Sequence, residues 1–251
     1  MGSMRKPFQG VLNIIRFNWH FYLIAFFIIL FINIFSFLNP SIKTLIDTVS
    51  FIIFSSILLS LLVSYYIYDV SNLYLLKWIN KENNEKVIVN IHAGFDETSC
   101  LLKSKFKNSE LFVYDFYNSI HHKEVSIKRA RKAYPPFKNT INITTTHINL
   151  LNNSADKIFV VLAAHEIRNE QERILFFKEL FRIIKPLGEI YIVEHLRDFP
   201  NLIAFNFGYF HFFSKKSWVN IFKKVSLELK SETKITPFIS SFILQKNDTT
   251  Y

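Results

Sequence analysis

Two long apolar runs near the amino end constrain this chain more than any other feature. Phe17 to Leu38 is 22 residues without Asp, Glu, Lys or Arg, and Thr48 to Tyr68 is another 21. A helix of about 20 apolar residues crosses the ~30 Å hydrocarbon core of a bilayer. Asn39-Pro40-Ser41 makes a short turn between them, so residues 17–68 are expected to form a transmembrane hairpin behind a basic segment, 1–16. The alternative is a buried helix pair in a soluble protein. Trp19 and Tyr22 lie near one end of the first run, and Tyr65, Tyr66 and Tyr68 near the end of the second, where interfacial aromatics belong. Ser56, Ser60 and Ser64 recur every four residues and offer a small face for close packing against the first helix. Asn33, at mid-depth, reads as a polar contact between the helices.

Charge sets the expected orientation. Arg5, Lys6 and Arg16 precede the hairpin and Lys77 and Lys81 follow it, while the turn offers Lys43 against Asp47. Both ends are therefore expected on the cytoplasmic side. The net charge of +10 favours an acidic partner, and with half the residues hydrophobic that partner is expected to be anionic lipid rather than nucleic acid. The single cysteine, Cys100, excludes an internal disulfide. No metal-ligand spacing recurs, so no metal is assigned. Nothing in the sequence sets the oligomeric state.

Residues 69–86 read as a juxtamembrane helix and linker, 87–246 as a globular domain and 247–251 as a tail. Within the domain, strands are expected at Val87–Ile91, Glu110–Tyr114, Thr140–Thr144, Lys157–Leu162, Glu189–Glu194, Leu227–Thr233 and Ser240–Gln245. Helices are expected at Glu97–Lys105, Glu124–Ala133 and Gln171–Ile184. Strands separated by helices predict right-handed crossovers and a parallel sheet, and the short Thr236-Pro237 connection predicts an antiparallel hairpin at its edge. The fold class expected is α/β: a Rossmann-like, doubly wound, mostly parallel seven-stranded sheet with an antiparallel last strand, preceded by two transmembrane helices.

Ligands of such sheets bind at the carboxyl ends of the strands. Those positions carry His92-Ala93-Gly94-Phe95-Asp96-Glu97, Asp115, Ala164-His165-Glu166-Ile167-Arg168 and Glu194-His195-Leu196-Arg197. The turn after the first strand, the acidic end of the second, the segment Asn153-Ser-Ala-Asp-Lys-Ile-Phe159, and the run from Leu180 through Lys185-Pro-Leu-Gly188 to Glu194 fall in an order that resembles the class I S-adenosylmethionine-dependent methyltransferases. The resemblance spans residues 86–246. It departs from the family at Asn90, where an acidic residue is usual, at His92 and Asp96, which replace loop glycines, and at Thr144 or Thr145, where an acidic residue normally lies near the adenine.

The resemblance implies S-adenosylmethionine as cofactor, held by Asn90, His92, Gly94, Asp96, Glu97, Asp115, Thr144, Thr145 and Ala164, with Asp115 on the ribose hydroxyls. This cofactor has no phosphates, so the loop needs a close backbone approach at Gly94 more than a phosphate cradle. Asp96 or Glu97 suits the methionine amino group; the Asp-Glu-Thr run also suits a helix start. His165 and His195 are the candidate proton acceptors, each with a structural role as its alternative. Glu166, Arg168, Arg197, Phe205, Phe210 and His211 are candidate substrate contacts.

Two further segments remain open in meaning. His121 to Lys138 holds six Lys and Arg, either a solvated helix face or a headgroup contact. Phe199 to Phe213 holds seven aromatic rings besides His211, either a buried lid or one that dips into the interface. The function expected is a membrane-anchored methyltransferase acting on a lipophilic acceptor from the cytoplasmic face of a bacterial inner membrane. The alternative is a tethered, non-catalytic relative.

Overall fold

A computed structural model of the chain describes residues 5–82, 84–120 and 124–247. His121, His122 and Lys123, which open the basic run, lie outside the described residues, as do 1–4 and 248–251.

The apolar runs form helices α1 (Gln9–Leu38) and α2 (Lys43–Tyr65), joined through a 3-10 turn at Pro40–Ile42. Both are long and apolar enough to cross a membrane. Asn33 Nδ2 donates to Ser50 Oγ at 2.8 Å across the pair, the contact its mid-depth position suggests. Helix α1 starts well before the charge-free run, because Asp69 accepts from the Gly10 and Val11 amides at 2.7 and 2.8 Å and so satisfies two orphan donors of its first turn. Gly10 permits that approach: a Cβ there would lie 2.4 Å from the Tyr68 Cβ. Asn18 leaves helical geometry and bonds back to the Ile14 carbonyl, a local cause for the kink in α1. Helix α2 ends in a π-helical turn, Tyr66–Val70.

The linker is not the helix expected from sequence. Residues 71–79 form successive turns, and Leu73, Leu76 and Ile79 are buried against the sheet beside Ile67. Burying three aliphatic side chains, each worth about 1.5–3 kcal/mol, fixes this strap along the domain.

The domain carries β1 (Val87–His92), α3 (Ser99–Lys105), β2 (Glu110–Asp115), α4 (Val125–Ala133), β3 (Ile141–Asn142), β4 (Ala155–Val161), α5 (Glu170–Ile183), β5 (Ile184–His195), α6 (Phe199–Phe205), α7 (Lys215–Lys224), β6 (Leu227–Thr236) and β7 (Ile239–Lys246). Sheet order is β3-β2-β1-β4-β5-β7-β6, parallel through β5 and antiparallel at β7. Ile88, Val89 and Ile91 on β1 are all buried, as a strand covered on both faces requires. Most element boundaries move by one to three residues, and two changes are larger. The third strand shrinks to two residues, and Lys185-Pro-Leu-Gly188 lies inside an extended β5, where the β4 pairing slips register.

Candidate functional site

The carboxyl ends of β1, β4 and β5 and the inner surface of the helical hairpin enclose a cavity of about 730 Å³, and Asp115 at the end of β2 and Gly94 lie behind its wall. His92, Val161, Leu162, His165 and His195 form its floor. Asn13, Phe17 and Phe21 of α1 and Ser56, Ser60 and Ser64 of α2 form its roof. The serine row thus faces the cavity, rather than serving only as a packing seam for α1. Phe205, Asn206 and Phe207 close one side, with Asn206 Nδ2 donating to Ser56 Oγ at 2.8 Å.

Several bonds hold the roof in place. Arg5 pairs with Glu97 at 2.5 Å and stacks on the Tyr74 ring, and the Tyr74 hydroxyl donates to the other Glu97 oxygen at 2.6 Å. Arg129 donates to the Phe17 carbonyl at 2.6 Å, next to the kink, and Tyr134 donates to Asn13 at 2.9 Å. The basic run is therefore not simply a solvated face: Arg129 turns inward to α1, while Lys128 and Lys132 stay exposed.

The turn after β1 is stiffened by its own side chains. Asp96 Oδ1 accepts from the Thr98 and Ser99 amides at 3.0 and 2.9 Å, and the Asn90 amide reaches Thr98, Ser99 and Asp96. Asp96 and Asn90 thus start helix α3 and do not line the cavity, whereas Glu97 does. Gly94 adopts φ +92°, a conformation that favours glycine, and its amide donates to His92 Nδ1 at 3.2 Å. Burial pushes the His92 pKa down, against Asp96 and Asp115.

Asp115 ends β2 opposite His92 and is buried. Its Oδ1 accepts from the Tyr117 amide at 2.8 Å and its Oδ2 is ion-paired to Arg131. That guanidinium also lies over the Tyr117 ring and against the place a Gly94 Cβ would fill. Arg131 therefore covers both the glycine and the carboxylate that sequence assigns to the cofactor.

At the other end of the cavity, His165 Nδ1 lies 2.7 Å from Glu194 Oε2 and its Nε2 3.2 Å from Glu166 Oε1. Burial disfavours the imidazolium, but Glu194 and Glu166 outweigh it and hold the His165 pKa well above its ordinary value. Burial likewise pushes Glu166 up, yet the two imidazoles of His165 and His211 close to it keep it well below the carboxylate range. His195 differs. It is buried, and burial drops its pKa to about 4, so it is neutral at physiological pH.

Of the remaining candidates, most fall outside the cavity. Arg168 donates to the carbonyls of His211 and His165 at 2.6 and 3.2 Å, and Arg197 to that of Phe210 at 2.8 Å. Loop carbonyls thus take the guanidinium donors expected to meet substrate. Phe210 points outward with 61% exposure, whereas Phe205 and His211 do line the cavity. Thr145 is tied to Glu172 at 2.6 Å, Thr144 pairs with Thr146 at the surface, and Ala164 is wholly buried. The aromatic segment divides: Phe205 and Phe212 pack on His195, while Phe199 and Phe207 are exposed. Sequence reasoning missed Arg5, Tyr68, Glu124 and Arg131. Tyr68 read only as an interfacial aromatic, and no short-range spacing links any of them to the strand ends.

No protein-family model and no curated protein matches the sequence. Among solved structures, an S-adenosylmethionine-dependent methyltransferase from Aquifex aeolicus superposes with a TM-score of 0.52 at 16% identity, over 71% of this chain and 94% of that one. The PH0226 protein from Pyrococcus horikoshii OT3 gives 0.51 at 14% identity, over 69% and 86%. At these identities the likeness is one of fold, and the domain has the class I methyltransferase fold.

Proposed function

We propose that this protein is a membrane-anchored, S-adenosylmethionine-dependent methyltransferase whose acceptor is lipophilic: a quinone-like or phenolic ring, a polyene, or a lipid headgroup. The observation that carries the reading is the cavity itself, walled on one side by the strand ends and on the other by two helices apolar enough to enter a bilayer. Its volume suits one organic ligand of ordinary size. An acceptor dissolved in the membrane reaches the strand ends between α1 and α2 without crossing water. The outward faces of the hairpin and lid support this placement, with Phe31, Phe37, Phe51 and Phe207 all largely exposed. The charge asymmetry around the hairpin favours a cytoplasmic domain, at a bacterial inner membrane.

S-adenosylmethionine supplies a methyl group on a positively charged sulfur. Acceptors to hold it are present, the Asp115 carboxylate for the ribose hydroxyls and Glu97 at the cavity wall for the amino group, with Gly94 next to Asp115 beneath Arg131. The rest of the task is positioning, which the roof and lid perform by orienting the acceptor and excluding water. For a hydroxyl acceptor, His195 is the available base, because burial keeps it neutral, whereas both ring nitrogens of His165 already face carboxylates. The Tyr68 hydroxyl, 2.8 Å from His195 Nε2 and on the cavity wall, relays the proton to that nitrogen.

One observation favours the non-catalytic alternative: Arg131 already occupies Asp115. Calorimetry on detergent-solubilised protein with S-adenosylhomocysteine separates the two. Binding that Asp115→Ala abolishes supports the enzyme; no binding by wild type or by Arg131→Ala supports the scaffold. Lipid extract incubated with the protein and S-adenosylmethionine, read by mass spectrometry, then identifies the acceptor as the species heavier by one methylene.

A further inference from the structure

We propose that His165, Glu166 and His211 form a binding site for a divalent transition-metal ion at the edge of the cavity. One donor atom from each lies within 4.8 Å of the other two. Glu166 Oε1 is 3.2 Å from His165 Nε2 and 3.6 Å from His211 Nε2. Donors about 2.1 Å from a tetrahedral ion lie about 3.4 Å apart, so these separations bracket the required value. All three residues line the cavity, and three protein ligands leave a position for an oxygen from water or from the acceptor.

The outer bonds point the same way. Metal-bound histidines characteristically donate their second ring nitrogen to a carboxylate, which fixes the ring and makes it a better ligand. Both histidines have that partner: Glu194 Oε2 at 2.7 Å from His165 Nδ1, and Glu124 Oε1 at 3.1 Å from His211 Nδ1. The inward Nε2 of His211 makes no hydrogen bond although it is buried. Arg168 binds the carbonyls of both His165 and His211 and so pins together the two loops that carry them. Two imidazoles and one carboxylate suit zinc, cobalt, manganese or ferrous iron and do not suit calcium or magnesium. The sequence hides the set because His211 comes from the lid and the other two from the turn after β4.

Ion binding here is separable from methyl transfer, so its test needs no turnover. Full-length detergent-solubilised protein is stripped with chelator and titrated with cobalt(II), followed by its visible absorption and by metal content after dialysis. One cobalt per chain, displaced by zinc(II), is expected. His211→Ala and Glu166→Gln should each weaken binding at least about tenfold, and Glu194→Gln by about 10–100-fold through the outer shell. His147→Ala, at an exposed histidine away from the cavity, should bind like wild type. Far-ultraviolet circular dichroism and melting curves establish that the variants fold, and Glu166→Gln, nearly isosteric, serves if His211→Ala does not. Wild type that takes up no stoichiometric cobalt, or a folded Glu166→Gln that binds it undiminished, overturns the site.

Discussion

The Tyr68 hydroxyl donates to His195 Nε2 at 2.8 Å, joining the end of the second apolar helix to the end of the fifth strand. The direction follows from the other side of the ring. His195 Nδ1 faces the Asn201 side-chain oxygen and the Phe238 carbonyl, both at 3.1 Å, and two acceptors require a proton on Nδ1. Nε2 is then a lone-pair acceptor. Tyr68→Phe leaves that buried nitrogen without a donor and should cost about 1–3 kcal/mol in denaturant unfolding. If Tyr68 also relays a proton, turnover falls while S-adenosylhomocysteine affinity stays unchanged. Unaltered turnover and unaltered stability together would remove Tyr68 from both roles.

His195 also predicts a pH dependence of stability. Burial lowers its folded-state pKa to about 4, below the ordinary value near 6.5. Between those values the unfolded chain binds a proton that the folded one refuses, so stability falls as pH drops from about 6.5 to about 4 and then levels. The full shift corresponds to about 3 kcal/mol as an order of magnitude. His195→Gln has no such group, so its melting temperature should vary less with pH across this window than that of wild type. Parallel curves for the two proteins would refute the assignment.

Arg131 makes the cofactor site testable by gain rather than loss. Its guanidinium is ion-paired to Asp115 and stacked on Tyr117, with the side chain 37% exposed. A ribose that needs Asp115 must first displace it. Arg131→Ala should therefore raise S-adenosylhomocysteine affinity, by about tenfold if the displacement costs about 1.4 kcal/mol. A fall in affinity would instead make Arg131 part of the binding surface.

The central strands were legible because they are largely Val, Ile and Phe runs, as in Val87-Ile-Val-Asn-Ile91, whose burial on both faces leaves little room for polar residues. The strap at residues 71–79 was not. Leu73, Leu76 and Ile79 recur every three residues, a spacing that also suits a helix face, and only the sheet surface decides that they pack as turns. At the site, position after a strand brings His92, His165 and His195 to the cavity lining. It failed for Arg168 and Arg197, whose donors meet loop carbonyls that sequence does not place. Glu124 and Tyr68 were invisible for the same reason: each reaches the cavity from an element far away in the chain.

Away from the cavity, Lys157 and Glu189 form a buried pair across β4 and β5, with Nζ 2.7 Å from Oε2 and Glu85 3.8 Å from the same nitrogen. Burial raises the Glu189 pKa, but Lys157, Lys230 and Tyr191 overcome it and hold the group near 2. Lys157→Met removes the central cation and leaves two buried carboxylates, one of them with only Lys230 as a countercharge. Breaking such a pair costs about 3–5 kcal/mol, so the variant should unfold at markedly lower denaturant near neutral pH. The sign of the pH effect follows from the depressed folded-state pKa: the stability Glu189 contributes in wild type is present above about 4.5 and lost as pH falls toward about 2. The gap between wild type and Lys157→Met should therefore narrow in acid. Replacing both partners, Lys157→Met with Glu189→Leu, should recover part of the loss, because the apolar pair needs no countercharge while Glu85 still lacks its cation. A single variant within about 0.5 kcal/mol of wild type would mean that water or Lys230 already neutralises Glu189.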